Sequence, residues 1–376
     1  MDDTSRELPF LSNIGLMLTY KCTIACPHCI VEAGPHRTEE MPLEECLAWI
    51  DQARTYRDGH IKGLALTGGE PFYDVEKLSR ISEYGQSLGF IVSAVTNAFW
   101  ASSKDIAMSI LSDLPAIRMI SISTDAYHQK FIPFDRVRNL VWAALELGRF
   151  YNIAVCTDSK DDPEFRKIMN DVTALCDEDR VRVTITFPVG RAQKRAHRFH
   201  YRTSPEPTSG ACSMASSPVI YPDGKVSACI GPVLTLPPDH PLFLGNLQEE
   251  TLQEILDRAE VNPVLHAIRV WGPQKLVSHL KQHGLEAILP GEYICDCLCD
   301  VCYRLLSDKR IVDALEDIME DTHTRQLLAY ARLYYLNEST MIGRYPMDTA
   351  ESVDRIDADT CLGAESIARK EVNKST

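Results

Sequence analysis

The 376-residue chain is 45% hydrophobic and carries 53 acidic against 39 basic side chains, a formal net charge of -14. This is the composition of a globular protein with room for one large domain and a smaller one, and its charge excludes nucleic acid as the expected substrate, because affinity for a phosphate backbone comes mainly from Lys and Arg. No apolar run approaches the roughly 20 residues that span a bilayer, and the start lacks a signal peptide's basic and apolar regions, so the expected location is cytoplasmic, with no membrane partner and with the 13 cysteines reduced and available to metal.

Residues 13–19 form an apolar run, expected as a buried first strand with its site at the C-terminal end. It leads into Cys22, Cys26 and Cys29, spaced C-x3-C-x2-C. Thiolates are soft ligands for iron–sulfur clusters or zinc, and three within one loop can converge on one cluster. Three ligands on a cubane leave one iron open, whereas structural zinc more often pairs C-x2-C units and fills four positions. Residues 41–56 read as a helix, with Pro42 in its first turn and Cys46 packed. A second apolar strand ends at Thr67, Gly68, Gly69, Glu70 and Pro71. Paired glycines let backbone approach a ligand, and the carboxylate offers oxygens to an ammonium group.

These two segments together resemble the radical S-adenosylmethionine enzymes, whose motif has this cysteine spacing, often with an aromatic residue just before the third cysteine, the place of His28. The resemblance covers roughly residues 13–194 and implies that S-adenosylmethionine chelates the open iron. Gly68, Gly69 and Glu70 then match the family's GGE motif, which contacts the cofactor's amino group.

Strand-like segments at 90–97, 117–124, 152–157 and 181–187 alternate with helix-like ones at 76–88, 104–114, 135–148 and 163–176. With the first two strands this makes six βα-type repeats, an α/β partial (β/α)6 TIM-like barrel. The family is known for the same core. Strand ends supply Asn97, Ser121, Ser123, Asp125 and Thr157, whose hydroxyl, amide and carboxylate groups suit a ribose and a methionine carboxylate, with ordinary capping and turn roles as the alternative. Tyr127 and His128 follow in a loop where they could contact substrate.

Residues 187–192 resemble the exit from the core in family members with a C-terminal cluster domain. The basic stretch 191–202 is either a solvated connector or the receiver of an anionic group. The expected organisation is an N-terminal segment 1–12, a core 13–194, a connector 195–210, a smaller α+β cluster-binding domain 211–340 and a polar tail 341–376. Cys212 and Cys229 bracket a predicted hairpin with a Pro-Asp-Gly turn, and CDCLCDVC supplies Cys295, Cys297, Cys299 and Cys302. The spacing resembles SPASM and twitch domains. It implies one auxiliary [4Fe-4S] cluster on Cys212, Cys229, Cys299 and Cys302, with Cys295, Cys297 and Cys361 as candidate ligands of another; structural zinc is the alternative. Residues 311–336 carry apolar side chains at helical spacing and are expected to pack on this domain or the barrel.

The resemblance thus implies an oxidoreductase that reductively cleaves S-adenosylmethionine to a 5′-deoxyadenosyl radical, abstracts a hydrogen atom and carries out net oxidation or cross-linking of a ribosomally made peptide. An external one-electron reductant of flavodoxin or ferredoxin type is required. With about 20 residues before the first cysteine, the peptide reading also calls for a separate leader-binding protein. The alternatives are dehydrogenation or epimerisation of a small polyol or aminosugar, with Cys156 as hydrogen donor, and a non-enzymatic iron–sulfur carrier or scaffold.

Overall fold

The computed structural model describes residues 10–231 and 236–335; Cys361, the tail 341–376 and most of segment 1–12 lie outside the described residues. Six parallel strands follow in order, β1 Asn13–Met17, β2 Gly63–Thr67, β3 Ile91–Thr96, β4 Ile117–Ser123, β5 Phe150–Thr157 and β6 Val181–Ile185, each paired with the next. Parallel pairing needs crossovers, and α1 Leu43–Thr55, α2 Val75–Ser87, α3 Lys104–Ser112, α4 Phe134–Glu146 and α5 Pro163–Thr173 provide them. Asp74, Ser103 and Asp162 cap α2, α3 and α5 by accepting from the backbone N–H of Lys77, Ile106 and Glu164 at 3.0, 3.2 and 2.9 Å. Each such cap contributes about 1 kcal/mol.

The two faces of the sheet differ. A Cβ on Gly85 of α2 would stand 2.5 Å from Leu64 Cδ2 and 3.5 Å from Val92 Cγ2, so the helix lies directly on that face. Strand alternation sets Leu66 and Ala94 beside them, and Ile120, Ile122, Ile153 and Val155 continue the buried layer. Burying each large side chain there contributes about 1.5–3 kcal/mol. The opposite face carries Ala65, Ser93, Ser121, Asn152, Ala154 and Cys156, small or polar and half-buried. The result is the expected α/β partial barrel, with an open trough leading to the C-terminal strand ends.

Past α6 Arg191–Lys194 and β7 Thr203–Ser204 come β8 Val219–Ile220, β9 Lys225–Ser227 and β10 Phe243–Asn246. β8 and β9 form the anticipated hairpin, turning at Gly224 (φ 81°). The hairpin also continues the barrel sheet, whose order is β10-β9-β8-β1-β2-β3-β4-β5-β6. Gly15 permits this: it pairs with Val219, and a Cβ there would stand 3.0 Å from Val219 Cγ2.

The helices α7 Leu252–Val261, α8 Pro263–Val270 and α9 Pro273–Gln282 follow, then β11 Tyr293–Ile294, α10 Leu298–Leu306, α11 Lys309–Glu320 and α12 Thr322–Tyr335. β11 pairs with β7 in a separate two-stranded sheet. The apolar pattern at 311–336 is two helices rather than one, because Asp321 accepts from the N–H and hydroxyl of Thr324 at 2.9 and 3.2 Å and starts α12 afresh. α11 packs against α8, α9 and α10.

Candidate functional site: two cysteine sets at the barrel mouth

The cysteine loop leaves β1 and crosses the mouth of the barrel. Cys22 and Cys26 are buried and Cys29 half-buried, in an apolar cluster with Met17, Tyr20, Ile24, Val31, Ile132 and Tyr221. Burial, then Glu70, Cys26 and Cys29, push the Cys22 thiol up to about 12; burial likewise raises Cys29. Such a pocket disfavours thiolates unless a metal removes their protons and offsets their repulsion. Two donors already face the sulfurs: Ala33 N–H lies 3.3 Å from Cys29 Sγ, and Asn97 Nδ2 lies 3.7 Å from Cys22 Sγ.

The glycines after β2 serve the same loop. A Cβ on Gly69 would stand 2.2 Å from Lys21 O and one on Gly68 2.7 Å from Thr19 O, while Gly69 N–H donates to Thr19 O at 2.6 Å and Glu70 N–H to Lys21 O at 2.9 Å. The backbone brought close here is the protein's own. Glu70 is fully buried. Its Oε1 accepts from Thr96 Oγ1 (2.9 Å) and Phe72 N–H (3.1 Å), and its Oε2 from Asn97 N–H (2.7 Å). Burial pushes its pKa up to about 7, with these donors pulling the other way. Glu70 thus ties the ends of β2 and β3 together and orients Asn97, whose amide also reaches Thr23 Oγ1 at 3.4 Å.

Across the mouth, Asp125 is buried and fully engaged. Its Oδ1 accepts from Tyr127 and His128 N–H, both at 2.9 Å, and its Oδ2 lies 2.8 Å from His128 Nδ1 and 3.3 Å from Cys156 N. Burial opposes its charge, but His128 and His28 outweigh it and hold the carboxylate at about 2. Burial, with His128 and Arg191 adding to it, lowers His28 to about 4. The neutral ring lies 4.6 Å from Tyr127, and its Nδ1 is buried without a hydrogen-bond partner, an open polar atom suited to a bound cofactor. Cys156 lines a cavity of about 160 Å³ with Tyr127, Asp158, Arg198 and His200. Burial first, then Asp125 and Cys26, raise its pKa and keep it a thiol. Lower in the trough, Ser121 Oγ donates to Asn152 Oδ1 at 2.8 Å; Ser123 is half-buried at the top of β4, and Thr157 Oγ1 donates to Ser159 O at 2.8 Å within its own turn.

The second set comes from two stretches of chain, Cys212 and Cys229 flanking the β8–β9 hairpin and Cys299 and Cys302 on α10. Cys229 Sγ accepts from Gly231 N–H at 3.3 Å, and Cys299 and Cys302 lie three apart on α10, hence on one face. Burial raises both of these thiols well above the usual range, with Cys297, then Cys229 and Cys212, adding at Cys299 and with Cys229, Cys212 and Cys299 adding at Cys302, and it brings Cys229 to about 11 with Cys212 adding. Cys297 instead packs with Ile185, Phe187, Val189 and Ile294, its Sγ 3.8 Å from Ile185 O; Cys295 N–H donates to Arg202 O at 2.8 Å. Among the described residues, His28, Asp125 and His128 are the one group with three ligand atoms within 4.8 Å of one another.

Three contributors escaped the sequence reading. Thr96 accepts from Ala98 N–H and Trp100 Nε1 while donating to Glu70; Gly190 and Arg191 dock on the cysteine loop. Thr96 carried no signal, whereas a Gly-Arg pair just beyond a strand end was visible.

Residues 16–172 match the family model described as the radical SAM superfamily. The chain therefore carries a radical S-adenosylmethionine domain and is an enzyme of that class, with a [4Fe-4S] cluster and S-adenosylmethionine as cofactors and a need for an external electron donor. Its relatives include YydG of Bacillus subtilis (strain 168), assigned by name to peptide biosynthesis, with 23% identity over 327 residues, 82% of this chain and 96% of that one. Similar solved structures include Streptococcus suis SuiB bound to S-adenosylmethionine, with 15% identity over 73% of this chain and 72% of that one (TM-score 0.48). BtrN in complex with AdoMet and 2-DOIA shares 14% identity over 70% of this chain and 88% of that one (TM-score 0.33). No described helix is long and apolar enough to cross a membrane.

Proposed function

We propose that this enzyme oxidises or cross-links a ribosomally made peptide. The observation that carries the reading is the 23% identity over 327 residues to a relative assigned by name to peptide biosynthesis; a second set of cysteines, Cys212, Cys229, Cys299 and Cys302, supports an electron acceptor beside the first. Cys22, Cys26 and Cys29 would hold the cluster that, with S-adenosylmethionine, would supply radical chemistry for hydrogen-atom abstraction, and Cys212, Cys229, Cys299 and Cys302 would hold a second cluster as electron acceptor. The chain's own residues position and enclose. Glu70 and Asn97 fix the strand ends around the cysteine loop, and His28 and Tyr127 pack together at the mouth.

Replacing Cys299 and Cys302 together by Ala is expected to lower iron by about four per chain while 5′-deoxyadenosine formation stays within a few-fold of wild type. Co-expression with a neighbouring peptide gene, read by mass spectrometry, should show product lighter by two hydrogen atoms from the wild type and none from the variant. Unchanged iron, or oxidised product from the variant, would sink the assignment.

A second reading, epimerisation, draws on one observation: Cys156 is a protonated thiol lining the cavity beside Tyr127. A thiol that returns a hydrogen atom makes the reaction redox-neutral. In deuterated water this reading expects product of unchanged composition carrying one solvent deuterium, lost on Cys156→Ala. Product lighter by two hydrogens, or indifference to that substitution, removes it.

A further inference from the structure

The basic stretch 191–202 does not act as one surface. Lys194 pairs with Glu32 at 2.7 Å and Arg202 with Asp161, both toward solvent, while Arg198 lines the 160 Å³ cavity. Arg191 turns inward. Its Nη1 donates to Cys26 O and its Nη2 to Ala33 O, both at 2.6 Å, and its backbone N–H donates to Cys29 O at 3.0 Å. The residue before it, Gly190, has φ 58°, and a Cβ there would stand 2.2 Å from Ile30 O. The cysteine loop is irregular, so its carbonyls need partners from elsewhere. One side chain and one glycine at the exit of β6 meet that need over residues 26–33.

We propose that Arg191 is a positioning residue for the iron–sulfur loop: its fork holds the carbonyls of Cys26 and Ala33, setting the loop before metal arrives, and its charge raises the reduction potential of the cluster. The inference rests on the reading that Cys22, Cys26 and Cys29 hold that cluster. Lys can supply the charge but not the planar fork, and Gln supplies neither. Cluster potentials respond to net charge and to the groups around the sulfurs. The two functions of Arg191 therefore separate by substitution.

The test uses full-length Arg191→Lys, Arg191→Gln and Gly190→Ala proteins. Anaerobically reconstituted samples are titrated electrochemically with EPR detection, and metal-free samples are followed by hydrogen exchange over residues 22–34. Arg191→Gln should leave about tenfold less reduced cluster at a fixed potential, equivalent to about 59 mV for a one-electron couple. Arg191→Lys should stay within about threefold of wild type in that titration. All three variants should exchange faster over residues 26–33, Gly190→Ala because its Cβ pushes the loop off with Arg191 intact. If Arg191→Gln failed to fold, the other two would carry the exchange test. Wild-type exchange in all folded variants, or a wild-type potential in Arg191→Gln, overturns the proposal. A wild type that assembles no cluster dependent on the three cysteines refutes the ligand reading instead, and the exchange comparison still decides the clamp.

Discussion

Replacing Cys22, Cys26 and Cys29 together by Ala is expected to halve the iron of the reconstituted protein, from about eight to about four atoms per chain, and to abolish 5′-deoxyadenosine formation. The three thiols share one apolar pocket. Burial first, with the neighbouring cysteines adding to it, keeps Cys22 and Cys29 from ionising unless a cationic cluster binds. Removing one would leave two ligands and a cubane of doubtful retention, so the triple variant gives the cleaner reading. The second cysteine set is the internal control. It belongs to a different stretch of chain with its own donors, Gly231 N–H among them, and should still load. Iron and sulfide analysis with chromatography of the adenosyl products measures both effects together. Zinc in place of iron, or 5′-deoxyadenosine from the triple variant, contradicts the assignment of this loop.

The barrel was legible because its signals are local. Six strand periodicities alternate with five helical ones, and Gly68 and Gly69 mark the end of β2 as a place of close approach. What approaches them could not be read, because the contact with Thr19 and Lys21 depends on how two strand ends meet in space. The same limit applies to β8, a two-residue strand whose pairing with β1 brings Val219 against Gly15. Charge patterning misled in one place: Arg191 heads a run of cations and reads as solvent-exposed, yet its fork is spent on Cys26 and Ala33. The break at Asp321, by contrast, had a readable signal in Asp-Thr-His-Thr, an N-cap inside an apolar helical pattern. Asp125 shows the same limit on partners. Its place at the mouth was anticipated, but its oxygens are taken by Tyr127, His128 and Cys156, so it shapes the wall through His128 and His28.

Glu70→Gln is expected to slow 5′-deoxyadenosine formation by about 10²-fold while the cluster still assembles, because an error of about 1 Å in a reacting geometry costs that much. Every group that meets the carboxylate is a donor. Thr96 Oγ1 already accepts from Ala98 N–H at 3.0 Å and Trp100 Nε1 at 3.1 Å, so its own proton goes to Glu70. An amide can serve Thr96 and Phe72 with its oxygen, but its NH2 then faces the N–H of Asn97, 2.7 Å from Oε2 in the wild type. That N–H loses its acceptor at a cost of about 1–3 kcal/mol, and Asn97 shifts from the position in which it reaches Cys22 and Thr23. Glu70→Ala orphans all three donors and should cost about 3–9 kcal/mol in urea unfolding, on the scale of about 1–3 kcal/mol for each unsatisfied group. Reading stability and turnover together separates positioning from folding. The Gln variant should keep wild-type iron and most of its stability yet lose turnover, and wild-type rates in that variant would show that Asn97 does not depend on Glu70.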